Sequence, residues 1–332
     1  MSLAHMVHST EDLTEIARAS GERTRRNFGR RIRFYTPSFM PYRNRYSKQK
    51  TREFPSISIT GRDCALRCKH CCGRLLQTMI PANSPAELAE ILRGLHEKNA
   101  AGCLISGGCG LDGGVPLAPF LDTIAKAKRA FGLKMVVHTG IVDQALAERL
   151  GKVGIDAALI DVIGSDETIK EIYRLRLTTE DYEKSLGALE KARIPTVPHI
   201  LVGLHYGALK GEFKALEIVA RHNPSAVIVI GLAPIRNTPM ADCRAASSSD
   251  IVSVIARARS LMPQTPIALG CARPKGRLRE RIDMLAVQAG VNGIAYPHPR
   301  AIELANSLSL KCDFSNICCS QVYEDFKSVE SN

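Results

Sequence analysis

The segment CALRCKHCC, residues 64–72, places four cysteines within nine positions of a 332-residue chain that has 11 cysteines in all. Cys64, Cys68 and Cys71 form the spacing C-x3-C-x2-C. Thiolates are soft ligands that suit zinc and iron–sulfur clusters. A structural zinc site usually closes four ligands around the ion, often from two pairs of cysteine or histidine. Because this loop offers three spaced ligands and no second pair nearby, it favours an iron–sulfur cluster with one iron left open to a substrate or cofactor.

The elements that must position this loop alternate regularly between strands and helices. Eight short apolar or β-branched runs predict strands: SISIT (56–60), CLIS (103–106), KMVVH (134–138), AALIDVI (157–163), TVPHILV (196–202), AVIVIG (226–231), PIALG (266–270) and GIAY (293–296). Between them lie stretches with apolar residues at i, i+3 and i+4, which is typical of amphipathic helices. Such an alternation predicts an α/β fold with a parallel sheet covered by helices.

Eight repeats over roughly 240 residues match a (β/α)8 TIM-type barrel in number and length. A doubly wound open sheet is the alternative. In a barrel the chemistry lies on loops at the C-terminal ends of the strands, so the cysteine loop, GGCGLDGG (107–114) and CARPKGR (271–277) should share one rim. We expect an N-terminal helix and basic arm at 1–55, the barrel at 56–306 and a cysteine-rich tail at 307–332.

The charge is concentrated near the N-terminus. The formal net charge is +12, and residues 23–52 contain eleven Lys or Arg and no Asp or Glu. This segment is either a solvated arm or a surface for an acidic partner such as nucleic acid, a phosphorylated ligand or an acidic carrier protein. Its interleaved aromatic residues suit RNA stacking, or equally a lid that packs on the domain.

No apolar run is long enough to span a membrane, and the first 20 residues lack the pattern of a secretory signal. We therefore expect a cytoplasmic protein without membrane association. In that compartment thiols stay reduced, and clustered cysteines are more often metal ligands than disulfides.

C-x3-C-x2-C in the loop after the first strand of a parallel α/β barrel resembles the radical S-adenosylmethionine (SAM) superfamily. The resemblance implies that Cys64, Cys68 and Cys71 hold a [4Fe-4S] cluster whose fourth iron binds the methionine amino and carboxylate groups of SAM. Reductive cleavage of SAM would then give a 5′-deoxyadenosyl radical that abstracts a hydrogen atom. One departure is His70, which stands where the family usually has an aromatic residue.

Three further family motifs imply cofactor-binding residues. Gly107 and Gly108 match a Gly-Gly-acid motif that contacts the methionine amino group, although Cys109 replaces the acid. Asp161, at the end of the fourth predicted strand, resembles the residue that meets the SAM ribose. Gly203, in HILVGLH (199–205), resembles the glycine beside the adenine. A rival interpretation is that GCGLDG (108–113) is a dinucleotide-binding G-x-G-x-x-G, but the next strand does not end in the acidic residue that such a site needs.

The tail holds a second cysteine group, Cys312, Cys318 and Cys319, in KCDFSNICCSQ (311–321). We interpret it as a second metal site, most simply an auxiliary iron–sulfur cluster that Cys72 or Ser320 would complete. The alternative is a tail of redox-labile thiols. Buried free cysteine is common, so Cys103, Cys109, Cys243 and Cys271 each have a plain interpretation as core thiols. Cys271 stands out among them because it follows the seventh predicted strand.

SISITGRDCALRCKHCCGRLLQTM (56–79), LGCARPKGR (269–277) and the terminal cysteines together resemble the biotin synthase-like group, and within it the two-protein lipoyl synthases. This resemblance implies a radical SAM sulfurtransferase that inserts sulfur into the octanoyl chain of an acyl or lipoyl carrier protein. It also implies a second radical SAM subunit and a ferredoxin- or flavodoxin-type electron donor as partners, and no nucleic acid.

Two other functions remain open on the sequence. One is a different radical SAM reaction, such as sulfur insertion into another substrate, methylation or cofactor assembly. The other is a zinc-stabilised RNA-binding protein that uses the basic arm. Methylation or cofactor assembly would leave the tail cysteines dispensable, and the zinc-stabilised alternative predicts colourless protein that contains zinc and does not cleave SAM.

Overall fold

The computed structural model describes residues 10–46, 49 and 53–326, which form one parallel sheet with helices packed against it. The strands are β1 (Arg31–Tyr35), β2 (Ser56–Ser58), β3 (Ile80–Pro81), β4 (Gly102–Ser106), β5 (Lys134–His138), β6 (Ala157–Asp161), β7 (Thr196–Val202), β8 (Val227–Gly231), β9 (Ile267–Leu269), β10 (Gly293–Ala295) and β11 (Lys311–Ser315). All eight predicted strands form, as β2 and β4 to β10. The expected barrel-type α/β class is confirmed.

The order of the strands is β11-β1-β10-β9-β8-β7-β6-β5-β4-β2-β3. Strands β4 to β10 are therefore neighbours both in sequence and in space, as in a barrel of successive β/α units. Within the described residues, no hydrogen-bonded ladder joins β3, at one edge of the sheet, to β11, at the other edge. The sheet is therefore a curled, barrel-like sheet that is not closed by hydrogen bonds.

Two strands come from segments that the sequence assigned to the arm and the tail. β1 pairs in parallel with β10 on one side and with β11 on the other. The side chains of RIRFY alternate between the two faces of the sheet. Ile32 and Phe34 pack on the outer face, against the helices, and Tyr35 packs on the inner face of the curled sheet. Ser47, Lys48, Lys50, Thr51 and Arg52, part of the basic arm, lie outside the described residues.

The helices are α1 (Thr10–Phe28), α2 (Pro85–Glu97), α3 (Leu121–Phe131), α4 (Gln144–Val153), α5 (Asp166–Thr168), α6 (Thr179–Lys191), α7 (Glu212–Ala220), α8 (Ser248–Leu261), α9 (Arg277–Gln288), α10 (Pro299–Ser307) and α11 (Val322–Asp325). Their starts follow local capping rules. Before α2, for example, Ser84 accepts a hydrogen bond from Glu87 N and Pro85 occupies the first turn. None of the described helices is long and apolar enough to cross a membrane.

The two faces of the sheet have separate apolar cores. The outer core lies between strands and helices and includes Leu88, Ile105 and Ile255. The inner core takes at least one residue from every strand between β4 and β10, such as Leu104, Val136 and Ile228, and it also contains Cys318, Cys319 and Phe326 from the tail. The tail therefore runs into the interior of the curled sheet.

The last described residues close the end of the barrel where the strands begin. Tyr323 Oη donates a hydrogen bond to the carbonyl of Asp156, just before β6, and Lys134, the first residue of β5, pairs with Glu324. Asp325 accepts from Tyr35 Oη at 2.6 Å and pairs with Arg33 at 2.7 Å. These contacts leave the opposite rim, where the cysteine loop lies, as the open end.

Candidate metal centre

The cysteine loop leaves β2 and winds tightly before the short helical turn at Arg74–Thr78. Arg67 (φ 42°) and Cys72 (φ 47°) adopt left-handed backbone conformations, which are uncommon for residues other than glycine. Cys68 is 5% exposed, and its thiol donates to Cys71. This contact, aided by neighbouring His70, lowers the pKa of Cys71. The loop therefore brings the sulfur atoms of Cys68 and Cys71 together, as a metal-binding loop requires.

The Gly-Gly pair after β4 lies directly against this loop. A Cβ at Gly108 would lie 2.0 Å from the carbonyl oxygen of Asp63 and 2.6 Å from Cα of Cys64. Gly108 N donates to Thr60 Oγ1, and the carbonyl of Cys109 accepts from Ala65 N and Leu66 N. A side chain at position 108 would thus push the cysteine loop away. Gly107 is less confined, with the nearest atoms 3.2 Å from its Cβ position.

Cys109 occupies the position where the resemblance leads one to expect an acid. Its thiol lies near Cys64, Cys71 and Asp161, and burial raises its pKa to about 12. At neutral pH it is a protonated thiol beside the three loop cysteines and does not replace the missing carboxylate.

Asp161 lies at the end of β6 in a polar group with two histidines from the neighbouring strands. His138 Nε2 is 3.6 Å from Asp161 Oδ1, and the rings of His138 and His199 are 5.8 Å apart. The side chains of His138 and Asp161 lie deep in the protein yet remain 25% and 31% exposed, so they border space that solvent can reach.

The charges in this group depend on one another. Burial opposes a charge on Asp161, but His138 outweighs it, and the pKa of the carboxyl falls to about 2. Burial likewise lowers the pKa of His138, but the Asp161 carboxylate more than offsets this, so its pKa is raised. Burial lowers the pKa of His199 to about 4. At neutral pH the site therefore holds a carboxylate, a cation-prone His138 and a neutral His199.

Sequence reasoning missed Tyr173 and His138. Tyr173 ends a π-helical turn, Ile169–Tyr173, and its ring lies 5.3 Å from that of His70. Its buried hydroxyl has no hydrogen-bond partner among the described residues and lies near Asp161, Cys68 and Cys71. Single-turn π-helices often mark functional sites, but the spacing of apolar residues in this segment does not distinguish one from an α-helical turn. His138 carried a signal, because it ends a strand on the same rim.

Gly203 does follow β7 with a left-handed conformation (φ 76°), and its N–H donates to the buried carboxylate of Glu212 at 2.8 Å. Nearby, Tyr206 Oη donates to Glu171 at 2.7 Å, and Lys69 contacts both groups. This network links the cysteine loop to the loops after β6 and β7. Gly203 therefore lies on the same rim as the loop cysteines.

The structure divides the tail cysteines between the two faces of the sheet. Cys318 and Cys319 are each 4% exposed and belong to the inner core, where Cys271 packs against them. Their thiols are hydrogen-bonded to each other, which lowers the pKa of Cys318. The Ser320 hydroxyl adjoins the Cys318 thiol and, within the described chain, has no other partner.

Cys312 is not part of this group. It lies on β11 opposite Ile32 of β1, packs against the outer core, and directs its thiol to the carbonyl of Leu310. Cys72 is also remote, since it lines a pocket on the outside of the cysteine loop with Arg62 and Arg67. The residue that joins Cys318 and Cys319 is Cys271, which the sequence had singled out only as a thiol on the barrel rim.

The loop that carries Cys271 is fixed by a buried ion pair. Arg273 Nε lies 2.7 Å from Asp283 Oδ1 on α9, Nη2 lies 2.9 Å from Oδ2, and both side chains are fully buried. Such two-pronged pairs are geometrically rigid. Burial raises the pKa of Cys271, and the positive charge of Arg273 offsets part of this rise.

A parallel α/β barrel with three clustered thiols on the rim after its first barrel strand defines a class of barrel metalloenzymes with a cluster at the open end. Residues 58–207 match the family model of the radical SAM superfamily. Over this stretch the chain is similar to the radical SAM superfamily, and its sequence is also similar to that of biotin synthases. It is 25% identical over 262 residues to biotin synthases from Cronobacter sakazakii and from Salmonella paratyphi B, covering 77% of this chain and 74% of each relative.

Solved structures support the same fold. A methylornithine synthase superposes with a TM-score of 0.65 at 14% identity, covering 98% of this chain and 95% of that one. The FeFe-hydrogenase maturase HydG from Carboxydothermus hydrogenoformans gives a TM-score of 0.61 at 16% identity, covering 94% and 76%. At these identities the likeness concerns the fold alone.

The radical SAM family implies a [4Fe-4S] cluster and SAM, and the site is suited to both. Three thiols converge from one loop, with one of them predisposed to ionise. Next to them lie a backbone cradle that a Cβ at Gly108 would fill and the unpartnered hydroxyl of Tyr173. Soft sulfur ligands together with neighbouring polar groups are the donor set that a cluster and a polar cofactor need.

Proposed function

We propose that this protein is a radical SAM sulfurtransferase that inserts sulfur into the octanoyl chain of a lipoyl carrier protein, as one of two lipoyl synthase subunits. The observation that carries the proposal is the presence of two separate clusters of cysteines in one barrel. One group is on the rim, and the other, Cys271 with Cys318 and Cys319, is in the inner core. Sulfur insertion needs a sulfur source close to the carbon that is activated.

Cys64, Cys68 and Cys71 would hold the first cluster, with Gly107 and Gly108 beside the methionine part of SAM. Asp161, ionised at neutral pH, would accept a hydrogen bond from the ribose, and Gly203 would lie near the adenine. With SAM bound, a reduced cluster would supply the one electron that cleaves SAM into methionine and a primary carbon radical, which can take hydrogen from a saturated carbon. Tyr173 would use its unpartnered hydroxyl to hold the cofactor.

Cys271, Cys318 and Cys319 would hold a second cluster, and Ser320 is suited to complete it because its hydroxyl adjoins Cys318. The interior of the curled sheet is apolar, as an alkyl substrate would require, and its inner core includes Leu104, Leu159 and Ile228. The tail covers one end of the barrel, so a substrate can enter only from the end that carries the cysteine loop. A site that excludes water in this way protects a reactive radical. A substrate on a carrier protein would therefore reach in from that rim.

Iron and sulfide analysis of anaerobically prepared protein tests the two-cluster part. Two cubane clusters give about eight of each per chain, and one gives about four. We expect Cys271→Ala and Cys318→Ala to keep only the first cluster, and Cys312→Ala, the matched control, to keep both. About four iron atoms in the wild type, or equal loss in the control, would contradict this ligand set.

Product analysis tests the reaction. With SAM, a reductant and an octanoyl-lysyl peptide, mass spectrometry should find 5′-deoxyadenosine and a peptide heavier by one or two sulfur atoms. Addition of a second radical SAM subunit should raise the yield of the two-sulfur product. Formation of 5′-deoxyadenosine without any sulfur gain would reject this substrate and keep the radical SAM assignment.

A second candidate is biotin synthase-type sulfur insertion into a small molecule. The similarity to biotin synthases over 77% of this chain favours it. The same assay with the sulfur-free biotin precursor in place of the peptide distinguishes the two, because only the true substrate should gain sulfur.

A further inference from the structure

We propose that the outer face of the cysteine loop, formed by Arg62, Arg67, Arg74 and Leu75, is a docking surface for an acidic one-electron carrier protein. The inference rests on the proposed cluster at Cys64, Cys68 and Cys71. It adds to that function the place where the electron enters and the chemistry of the donor that brings it.

The loop has two faces with different surroundings. On the inner face, Cys68 and Cys71 lie near Cys109, Tyr173 and Asp161. On the outer face, a pocket of about 280 Å³ is lined by Arg62, Asp63, Cys64, Ala65, Arg67, Cys72 and Gly73. Cys64 belongs to both, since its thiol also points to the carbonyl of Cys109. The outer pocket therefore lies directly against Cys64, one of the residues that would hold the cluster.

The other approaches to the cluster are occupied or needed for the reaction. The tail closes the far end of the barrel through Tyr323 and Asp325. The open space beside His138 and Asp161 is where cofactor and substrate would lie. A protein-sized electron donor consequently comes nearest to the cluster at the outside of its own loop.

The outer face is positively charged. Residues 61–78 contain Arg62, Arg67, Lys69 and Arg74 but only one acidic residue, Asp63. Lys69 is engaged by Glu171 at 3.3 Å and by Tyr206 at 2.8 Å. The other three form no ion pair with any described residue, and Arg62 and Arg67 are exposed. Uncompensated cations on a surface attract an acidic partner and accelerate its encounter.

An exposed apolar residue accompanies this charge. Leu75 follows Arg74 in the short helical turn and is 55% exposed, among the highest values for large apolar side chains in the described chain. A basic patch with an apolar contact suits a transient protein complex, in which charge steers the encounter and a small apolar area seats the partner. In the transfer the carrier loses one electron and the cluster gains it, and no bond forms or breaks.

The experiment compares two reductants and two charge-reversal variants in the full-length reconstituted protein. Reduced plant-type ferredoxin is the acidic carrier, and reduced methyl viologen is a small cationic donor that needs no docking. Arg62→Glu/Arg67→Glu reverses the patch, and Arg93→Glu/Arg129→Glu makes the same charge change on exposed positions of α2 and α3. The readouts are the rate of 5′-deoxyadenosine formation and the Kd for oxidised ferredoxin.

We expect the patch variant to lose about tenfold or more in ferredoxin-supported rate and affinity at low salt, and the wild-type rate to fall as salt rises from about 50 to about 500 mM. The methyl viologen rate should not fall, and the control variant should behave like the wild type. Unchanged ferredoxin binding by the patch variant, or equal loss in the control, would overturn the proposal. If methyl viologen gives no 5′-deoxyadenosine with the wild type, the SAM site is wrong, while the binding measurement still decides the docking surface.

Discussion

Asp161 and His138 stabilise each other's charge at a position that burial alone would keep neutral. The carboxyl pKa falls to about 2 because of the histidine, and the pKa of His138 is raised because of the carboxylate. The position of the cysteine loop depends on Gly108 for a steric reason, since a Cβ at that position would collide with the backbone of Asp63 and Cys64. Electrostatic pairing and steric fit thus determine the two sides of the candidate SAM site.

Replacement of Asp161 tests the electrostatic dependence. In metal-free Asp161→Asn, burial should lower the pKa of His138 below its ordinary value of about 6.5. A histidine whose pKa is raised by folding stabilises the protein fully at a pH below its pKa in the unfolded chain. This stabilisation is lost as the pH rises through its pKa in the folded protein. The wild type should therefore exceed the variant in free energy of unfolding by more near about pH 6 than near about pH 9. Histidine NMR titration and urea unfolding measure both effects, and a difference that grows with pH would refute the pairing.

Replacement of Gly108 tests the steric dependence. Gly108→Ala should cost about 1–3 kcal/mol, because the new methyl group meets backbone that must move. It should also lower the iron retained by the loop after reconstitution. Gly94→Ala on α2 is the matched control: its Cβ meets nothing within 4 Å, so it should stabilise the helix by about 0.5–1 kcal/mol. Normal iron content in Gly108→Ala would show that the loop tolerates the displacement.

At the scale of elements, the cysteine loop was predictable and the tail only in part. The three rim ligands are close in sequence, so their spacing alone predicts a common site. The side on which each tail cysteine lies depends on partners that are distant in sequence. Cys312 pairs with β1 and faces outward, whereas Cys318 follows the end of β11 and enters the barrel with residues held by Tyr35 and Arg33. The alternation in RIRFY was the signal for β1, but its arginines led to its assignment to a basic arm.

The anchor at Asp325 should control access to the inner thiols. Its contacts with Tyr35 and Arg33 are partly buried, with 14% exposure of the Asp325 side chain, so Asp325→Ala should cost about 1–3 kcal/mol. In metal-free protein, loosening of the tail should speed the alkylation of Cys318, a thiol whose pKa is lowered by its neighbours. Glu303→Ala breaks a more exposed pair with Arg45 and should cost at most about 1 kcal/mol without changing alkylation. Equal rates of Cys318 alkylation in the two variants would show that the contacts of Asp325 do not control access to the inner thiols.

At the scale of the whole molecule, the two ends of the chain complete one sheet. β1 lies between β10 and β11, so the N-terminal and C-terminal segments are paired with each other and with the barrel. The sequence predicted the eight barrel strands because each carries its own apolar run. It did not predict this pairing of the two ends, since β1 pairs with strands some 260 and 280 residues later, and such pairing depends on the completed barrel. The proposed inner cluster depends on the same pairing, because β11 leads directly to Cys318.

Hydrogen exchange of the metal-free protein tests whether β1 and β11 unfold together with the rest of the sheet. If β1 and β11 are integral to the sheet, their amides should exchange through the same global opening as those of β7 and β8, with the same dependence on urea. Mass spectrometry of peptides that cover 31–35, 311–315, 196–202 and 227–231 gives this comparison within one sample. Earlier exchange of 31–35 and 311–315, with a small dependence on urea, would mean that the arm and tail open as separate units. The inner thiols would then be exposed while the barrel stays folded, and a second cluster there would have to be held by metal ligation rather than by the fold.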